Sequence, residues 1–279
     1  MQLKSANVSA NARRRPCRNR PQVIQANHFE QITTADIAQH IAAQVRSKGL
    51  APKTANRFRE VLTRLFNWAM QQHGIRTPEN VNPAAKVERY KEKAPQISFL
   101  NREQIEAQLK ALEDKPRLQA MVALYIYAGV RREEALWLTR KDVDLEAGVY
   151  GMLRIRAKTI GGEHWQPKTG VNRIVPISST LRKYLDRYEP QKVEGGWYFP
   201  SPRGTRWNAD NFSADLRKEN KAAGLAWACL DYRHTFGSHL AMKGESLYKI
   251  SKLMGNSPEI CRRHYAALVP EEMAGVVEF

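Results

Sequence analysis

A tyrosine near the end of the chain, Tyr265 in "CRRHYAALVP", follows directly on Arg262, Arg263 and His264, and four places upstream hold side chains of complementary chemistry. In "AGVRREEALWL", Gly129 can end a buried helix, Arg131 sits just past it, and Glu134 lies three residues on, where a helical neighbour can hold the guanidinium. In "PKTGVNRIVPI", Lys168 stands at the end of a strand before a tight turn at Gly170, so it should project from a hairpin tip. "LDYRHTFGSHL" puts Arg233 and His234 at the start of a helix whose apolar stripe includes Phe236 and Leu240, and an arginine buried there needs an anionic partner. "LMGNSPEICRRHY" reads as a helix ending at Gly255, a turn, and a short helix bearing Tyr265. Two arginines, a lysine and a tyrosine are what metal-free phosphodiester transfer requires. The phenol oxygen attacks phosphorus and paired guanidiniums stabilise the charge growing on the non-bridging oxygens, while an ammonium protonates the departing sugar oxygen. A covalent phosphotyrosine conserves the bond energy, so the break can be resealed without ATP.

The bulk composition points to the same class of partner. The chain has 279 residues and 42% hydrophobic content, enough for about two domains with real cores. Its 45 Lys and Arg against 28 Asp and Glu leave a net charge of +17, which favours a polyanion, nucleic acid before an anionic membrane. A membrane reading fares poorly, because no stretch approaches about 18 consecutive apolar residues and the N-terminus lacks a signal-peptide core; the expectation is a cytoplasmic protein. Cys17, Cys229 and Cys261 are odd in number and far apart, which suits neither a zinc site nor a disulfide framework, so no metal is expected. With no phosphate-binding glycine loop, no cofactor is expected either.

The elements that must carry these residues are mostly helical. Residues 1–29 hold six cations and no acid before Glu30, and read as a mobile basic arm. From Thr33, "TTADIAQHIAAQVRSKG" has an N-cap, helical spacing of Ile37, Ile41 and Val45, and a closing Gly49. The next helix opens with Pro52 and puts Phe58, Val61, Leu62, Leu65, Phe66 and Ala69 on one stripe, with Lys53, Arg57 and Arg64 on the opposite face as candidate DNA contacts. Residues 30–85 therefore form a helical module and residues 86–98, with Pro95 and a charge run, a linker. Residues 99–279 open with a capping box from Asn101 to Gln104, followed by the buried helix "LQAMVALYIYAGV". "YGMLRIRAKTI", "EHWQPKTG" and "NRIVPIS" are strand-like and suggest a small antiparallel sheet; "WYFPSPRGTRW" reads as a loop. The fold class is mainly α with a small antiparallel β-sheet.

These boxes, taken in order, resemble the tyrosine recombinases of the phage integrase family, whose pattern runs G-x-R-x-x-E, a hairpin lysine, H-x-x-R-H, G-H and a C-terminal tyrosine. "GVRREE" and "RHTFGSHL" match two boxes, and the 32 residues from Arg233 to Tyr265 fit the last. Residues 30–95 resemble the family's core-binding domain, so the likeness spans about nine tenths of the chain. The resemblance implies a helical core-binding domain plus a mixed α/β catalytic domain. It also implies Tyr265 as nucleophile, Arg131 and Arg233 as phosphate clamp, Lys168 as general acid, Glu134 and His234 as support, and Arg262 and Arg263 beside the DNA backbone. The implied partner is double-stranded DNA, with a homotetramer on two duplexes and the tail after Tyr265 docking onto a neighbour. Two positions depart from the pattern: Leu230 stands where the first histidine belongs, and Asn256 follows Gly255, where it keeps a weak hydrogen bond to phosphate. Those departures motivate an alternative to a site-specific recombinase, a degenerate, non-catalytic DNA-binding relative; a third reading, a type IB topoisomerase-like enzyme that relaxes any plasmid, shares the chemistry.

Overall fold

A computed structural model describes residues 28–77, 79–92 and 97–269; the basic arm up to residue 27 and the tail from 270, with its docking role, lie outside them. The chain divides into two compact units, Met1–Ala94 and Pro95–Phe279.

In the first unit, helix α1 (Thr34–Lys48) starts as its sequence predicts: Thr33 accepts from the Asp36 amide while Asp36 accepts from the Thr33 amide, and Gly49 closes the helix. Helix α2 (Pro52–His73) begins at its proline. Ile37 and Ile41 pack with Ala55, Phe66, Ala84 and Val87, and Asn56 donates to the Tyr90 carbonyl at 2.9 Å, so this core draws in chain well past residue 85. The apolar stripe of α2 is wider than the core it meets. Phe66 and Ala69 are buried, but Phe58, Val61, Leu65 and Trp68 are exposed, on the same side as Lys53, Arg57 and Arg64 rather than opposite them. A single packed helix covers only part of so broad an apolar sector.

The second unit is built on helix α4 (Pro116–Ala128), buried along most of its length and packed against α6 (Ser179–Arg187) and α8 (Cys229–Met242). Helix α3 (Arg102–Lys110) opens with the predicted Asn101–Gln104 capping box, and the short α5 (Arg132–Leu136) follows α4 directly. A three-stranded antiparallel sheet orders β1 (Val143–Asp144), β2 (Met152–Ile155) and β5 (Arg173–Pro176), with Ile155 opposite Arg173. A separate hairpin pairs β3 (Lys158–Ile160) with β4 (Glu163–Trp165). Its base is anchored: Trp165 stacks on Trp137 at 5.7 Å, and Lys158 bonds the buried Asp142 and, at 3.0 Å, the Trp137 carbonyl. The loop after α6 is no surface segment, since Tyr198, Phe199 and Trp207 join the main core ahead of α7 (Ala209–Ala222). Helices α9 (Leu247–Met254) and α10 (Pro258–Tyr265) close the unit, with Ile250, Met254, Cys261 and Tyr265 forming a second core against Phe236 and Leu240 of α8.

Candidate active site

The two box arginines arrive from different elements and meet at one atom. Arg131 stands between α4 and α5, Arg233 on the second turn of α8, and Asn256 in the turn between α9 and α10. The Asn256 Oδ1 accepts from the Arg131 guanidinium at 2.5 Å and from the Arg233 guanidinium at 2.9 Å. Arg131 also donates to the Gly255 carbonyl at 2.7 Å, and Arg233 to the carbonyls of Met254, at 2.7 Å, and of Gly129. Two findings differ from the sequence reading. Arg233 hydrogen-bonds three uncharged oxygens rather than an anion, with Glu134 acting on it only through space, and Asn256 turns an acceptor rather than a donor toward the pair. Burial and then the like charge of Arg131 push the Arg233 guanidinium down to about 10, which still leaves it charged at neutral pH.

Glu134 lies beneath the pair with its side chain 1% exposed. It accepts from the Arg131 amide at 2.7 Å and the Arg131 guanidinium at 3.0 Å, but its main partner is one the sequence reading missed: Arg173 on β5 donates to both carboxylate oxygens, at 2.9 and 2.6 Å. Burial alone would raise this carboxyl; the hydrogen bonds and charge of Arg173 outweigh it and hold Glu134 below the usual range. Stripping one partner from a buried ion pair costs about 3–5 kcal/mol, so Glu134 is held as an anion only because arginines flank it.

Tyr265 ends α10 fully buried, its hydroxyl 2.9 Å from Nδ1 of His234 on α8. The ring occupies a niche that exists because residue 237 is glycine, where a Cβ would come within 2.5 Å of the phenol carbon. Burial pushes the phenol well above its ordinary value, opposed by the charge of Arg233. His234 moves the other way: burial, then His264 and Arg233, push its imidazole down to about 4. The ring therefore stays neutral at pH 6.5, where an ordinary histidine is half charged. Between about 6.5 and about 4 the unfolded chain holds the extra proton, so stability falls as the pH drops through that window and is undiminished above it. An NMR titration of the His234 ring should give a midpoint near 4, and a midpoint at or above 6.5 would contradict this environment.

Lys168 does not sit at a hairpin tip. The tip is Gly161–Gly162, whereas Lys168 rides an exposed turn between β4 and β5, closed by the Gly170 amide donating to the Pro167 carbonyl at 2.8 Å, and it makes no hydrogen bond or ion pair with the described residues. Leu230 on the first turn of α8 is 63% exposed. Arg262 and Arg263 are exposed on α10, Arg262 paired with Glu259 at 2.9 Å. In the first unit Lys53, Arg57 and Arg64 are exposed on α2. A cavity of about 780 Å³ lies elsewhere, beside Asp142 and Lys158, and none of the box residues lines it.

The family model described as "Phage integrase family" matches residues 98–272, well over half of the chain. The chain belongs to the phage integrase family. Tyrosine recombinase XerD of Ralstonia nicotianae is 25% identical over 258 residues, covering 88% of this chain and 78% of that protein. The integrase of Escherichia phage P2 is 24% identical over 247 residues, covering 88% of this chain and 64% of its own. Among solved structures, the integrase of transposon Tn1549 in complex with a circular intermediate DNA superposes with a TM-score of 0.66 at 21% identity, covering 85% of this chain and 82% of that one. A lambda integrase dimer bound to a core site gives 0.62 at 21%, covering 84% and 65%. The family model lies within the second unit, and the likeness to the solved structures, at 84–85% of the chain, extends into the first. No helix among the described residues is long and apolar enough to cross a membrane.

Proposed function

We propose that this protein is a site-specific DNA recombinase that cuts and rejoins DNA through a 3′-phosphotyrosyl intermediate on Tyr265. The observation that carries the reading is the convergence of the Arg131 and Arg233 guanidiniums on a single oxygen, Asn256 Oδ1, in the same unit that holds Tyr265 against a neutral imidazole. A pair of forks that can share one carboxamide oxygen can share a non-bridging phosphate oxygen, where the charge of the pentavalent transition state grows. In the step itself the Tyr265 oxygen forms a bond to phosphorus, the bond from phosphorus to the 5′ oxygen breaks, and that oxygen takes a proton from Lys168. The phenol proton passes to Nδ1 of His234, which accepts it when the ring's own hydrogen is on Nε2. Because Tyr265 is fully buried, cleavage requires an opening that admits the scissile phosphate to the hydroxyl while its contact with His234 is kept. Lys53, Arg57, Arg64, Arg262 and Arg263 supply backbone contacts to double-stranded DNA, residues 30–85 acting as the core-binding domain and 99–279 as the catalytic one. Strand exchange takes place in a homotetramer on two duplexes. The family membership and the DNA complexes of the Tn1549 and lambda integrases support this assignment.

Leu230 motivates the second reading, a non-catalytic DNA-binding relative, because an exposed leucine replaces a proton-handling group. Covalent capture decides between them. Pooled duplexes with a bridging phosphorothiolate, which prevents resealing, should give a denaturant-resistant adduct with the wild-type protein, mapped to Tyr265, and none with Tyr265→Phe. Tight, salt-sensitive binding without any adduct selects the second reading.

A further inference from the structure

Arg173 makes as many side-chain hydrogen bonds as either clamp arginine, and neither the motif boxes nor the proposed chemistry assigns it a task. Its side chain is 7% exposed. Besides the two bonds to Glu134, its Nε donates to the Leu253 carbonyl at 2.9 Å, near the end of α9. Its fork also lies directly under the turn that carries Asn256: Gly255 has φ +64°, and a Cβ there would come within 2.7 Å of the Arg173 Nη1. One side chain on a strand thus touches the acid that holds Arg131 and underlies the backbone that presents the shared oxygen.

The chemistry of Glu134 says what this does. Arg131 alone offers the carboxylate one guanidinium bond and one amide. A buried carboxylate so poorly compensated draws the nearest guanidinium wholly onto itself, and Arg131 is that guanidinium. The bidentate fork of Arg173 satisfies both oxygens first, which leaves the second nitrogen of Arg131 directed at Gly255 and Asn256. Arg173 stands five residues after Lys168 on the same stretch of chain, so the strand that carries the lysine turn is tied to the clamp.

We propose that Arg173 is a positioning residue for the recombination chemistry: it orients Arg131 through Glu134, braces the Gly255–Asn256 turn, and couples strand β5 to the clamp. This rests on the phosphotyrosyl reading above. The test is Arg173→Lys, which keeps the charge and loses the fork, measured at saturating DNA and well below the variant's own melting temperature. A clamp displaced by about 1 Å lowers single-turnover adduct formation by about 10²-fold while the DNA dissociation constant stays within about threefold. Loss of positioning is not multiplicative, so in an Arg131→Lys background the same substitution should add little further loss. Losses that multiply, or a rate restored by the lysine, overturn the inference. A second readout does not depend on cleavage: in a nitrogen-15 arginine spectrum of the protein alone, the guanidinium signals identified as Arg131 by their loss in Arg131→Lys should shift or broaden in Arg173→Lys, while those of the remote Arg182 stay put. Unmoved Arg131 signals sink the inference whatever cleavage does; moved signals, where the wild-type protein itself forms no adduct, retire the recombinase reading and leave the orientation of Arg131 by Arg173 standing. Arg173→Gln, which keeps donors to Glu134 without charge, carries both measurements if the lysine variant does not fold.

Discussion

Arg233→Ala is expected to lower single-turnover adduct formation about 10³-fold, at the upper end of what removal of one preorganised charge donor costs an active site. The guanidinium has a catalytic and a structural part to play, and two variants separate them. On the catalytic side, the guanidinium is one of the two that share Asn256 Oδ1, so its loss leaves half the charge on the phosphoryl oxygens unmatched. On the structural side, the Gly129 and Met254 carbonyls lose their buried donor, at about 1–3 kcal/mol for each group left unpaired. Melting temperature should therefore fall with the rate. Arg233→Lys keeps a cation in the niche and can reach one or two of the three oxygens, so much of the stability should return. The rate should not, because an ammonium cannot present the planar fork to a phosphate and to the backbone at once. A lysine variant that cleaves within a few-fold of wild type would show that charge, not the fork, is what the site uses.

The parts legible in the sequence were those governed by local rules. The start of α1 follows from Thr33 and Asp36, that of α3 from Asn101 and Gln104, and the ends of α1, α4 and α9 from glycines, because a cap is a contract among residues three or four apart. The order of the motif boxes was equally open to reading. What stayed hidden was settled by distant partners. Arg173 looks like any cation in a half-exposed strand, and its importance comes from a glutamate 39 positions away. Asn256 looked like a donor to phosphate; its acceptor role follows from two guanidiniums arriving from the α4–α5 turn and from α8, which no spacing announces. Lys168 was misplaced because Gly161 and Gly162 make the hairpin turn and the segment after Trp165 leaves the ladder early. The outer stripe of α2 was read as core because periodicity reports that residues are apolar on one side and is silent on whether anything packs there. Gly237 gave no signal either, as its role is to leave room for a ring 28 residues later.

The gain-of-function counterpart is Leu230→His, which should raise adduct formation by about 10-fold, below the roughly 10²–10⁴-fold that a fully positioned acid–base group supplies. Residue 230 lies three before Arg233 on α8, so the two side chains leave neighbouring parts of the helix surface, one buried into the clamp and the other 63% exposed. An exposed leucine contributes little to the core, and the substitution should leave the melting temperature nearly unchanged; the rate is then read without a stability correction. His234 limits the size of the gain. It already meets the Tyr265 hydroxyl at 2.9 Å as a neutral ring, so the nucleophile's proton has an acceptor, and the new imidazole adds a second group at an exposed position. The two histidines should differ in their pH signatures. His234 stays neutral down to about 4, so it puts no inflection between pH 5.5 and 8. An exposed histidine at 230 titrates near the ordinary value of about 6.5, and a gain that grows as the pH rises through that value marks it as a base. Leu230→Gln separates proton transfer from simple hydrogen bonding, since glutamine can donate to phosphate and cannot shuttle a proton. An equal gain from glutamine assigns the deficit to a missing phosphate contact, and no gain from either residue means that Leu230 is not what limits this enzyme.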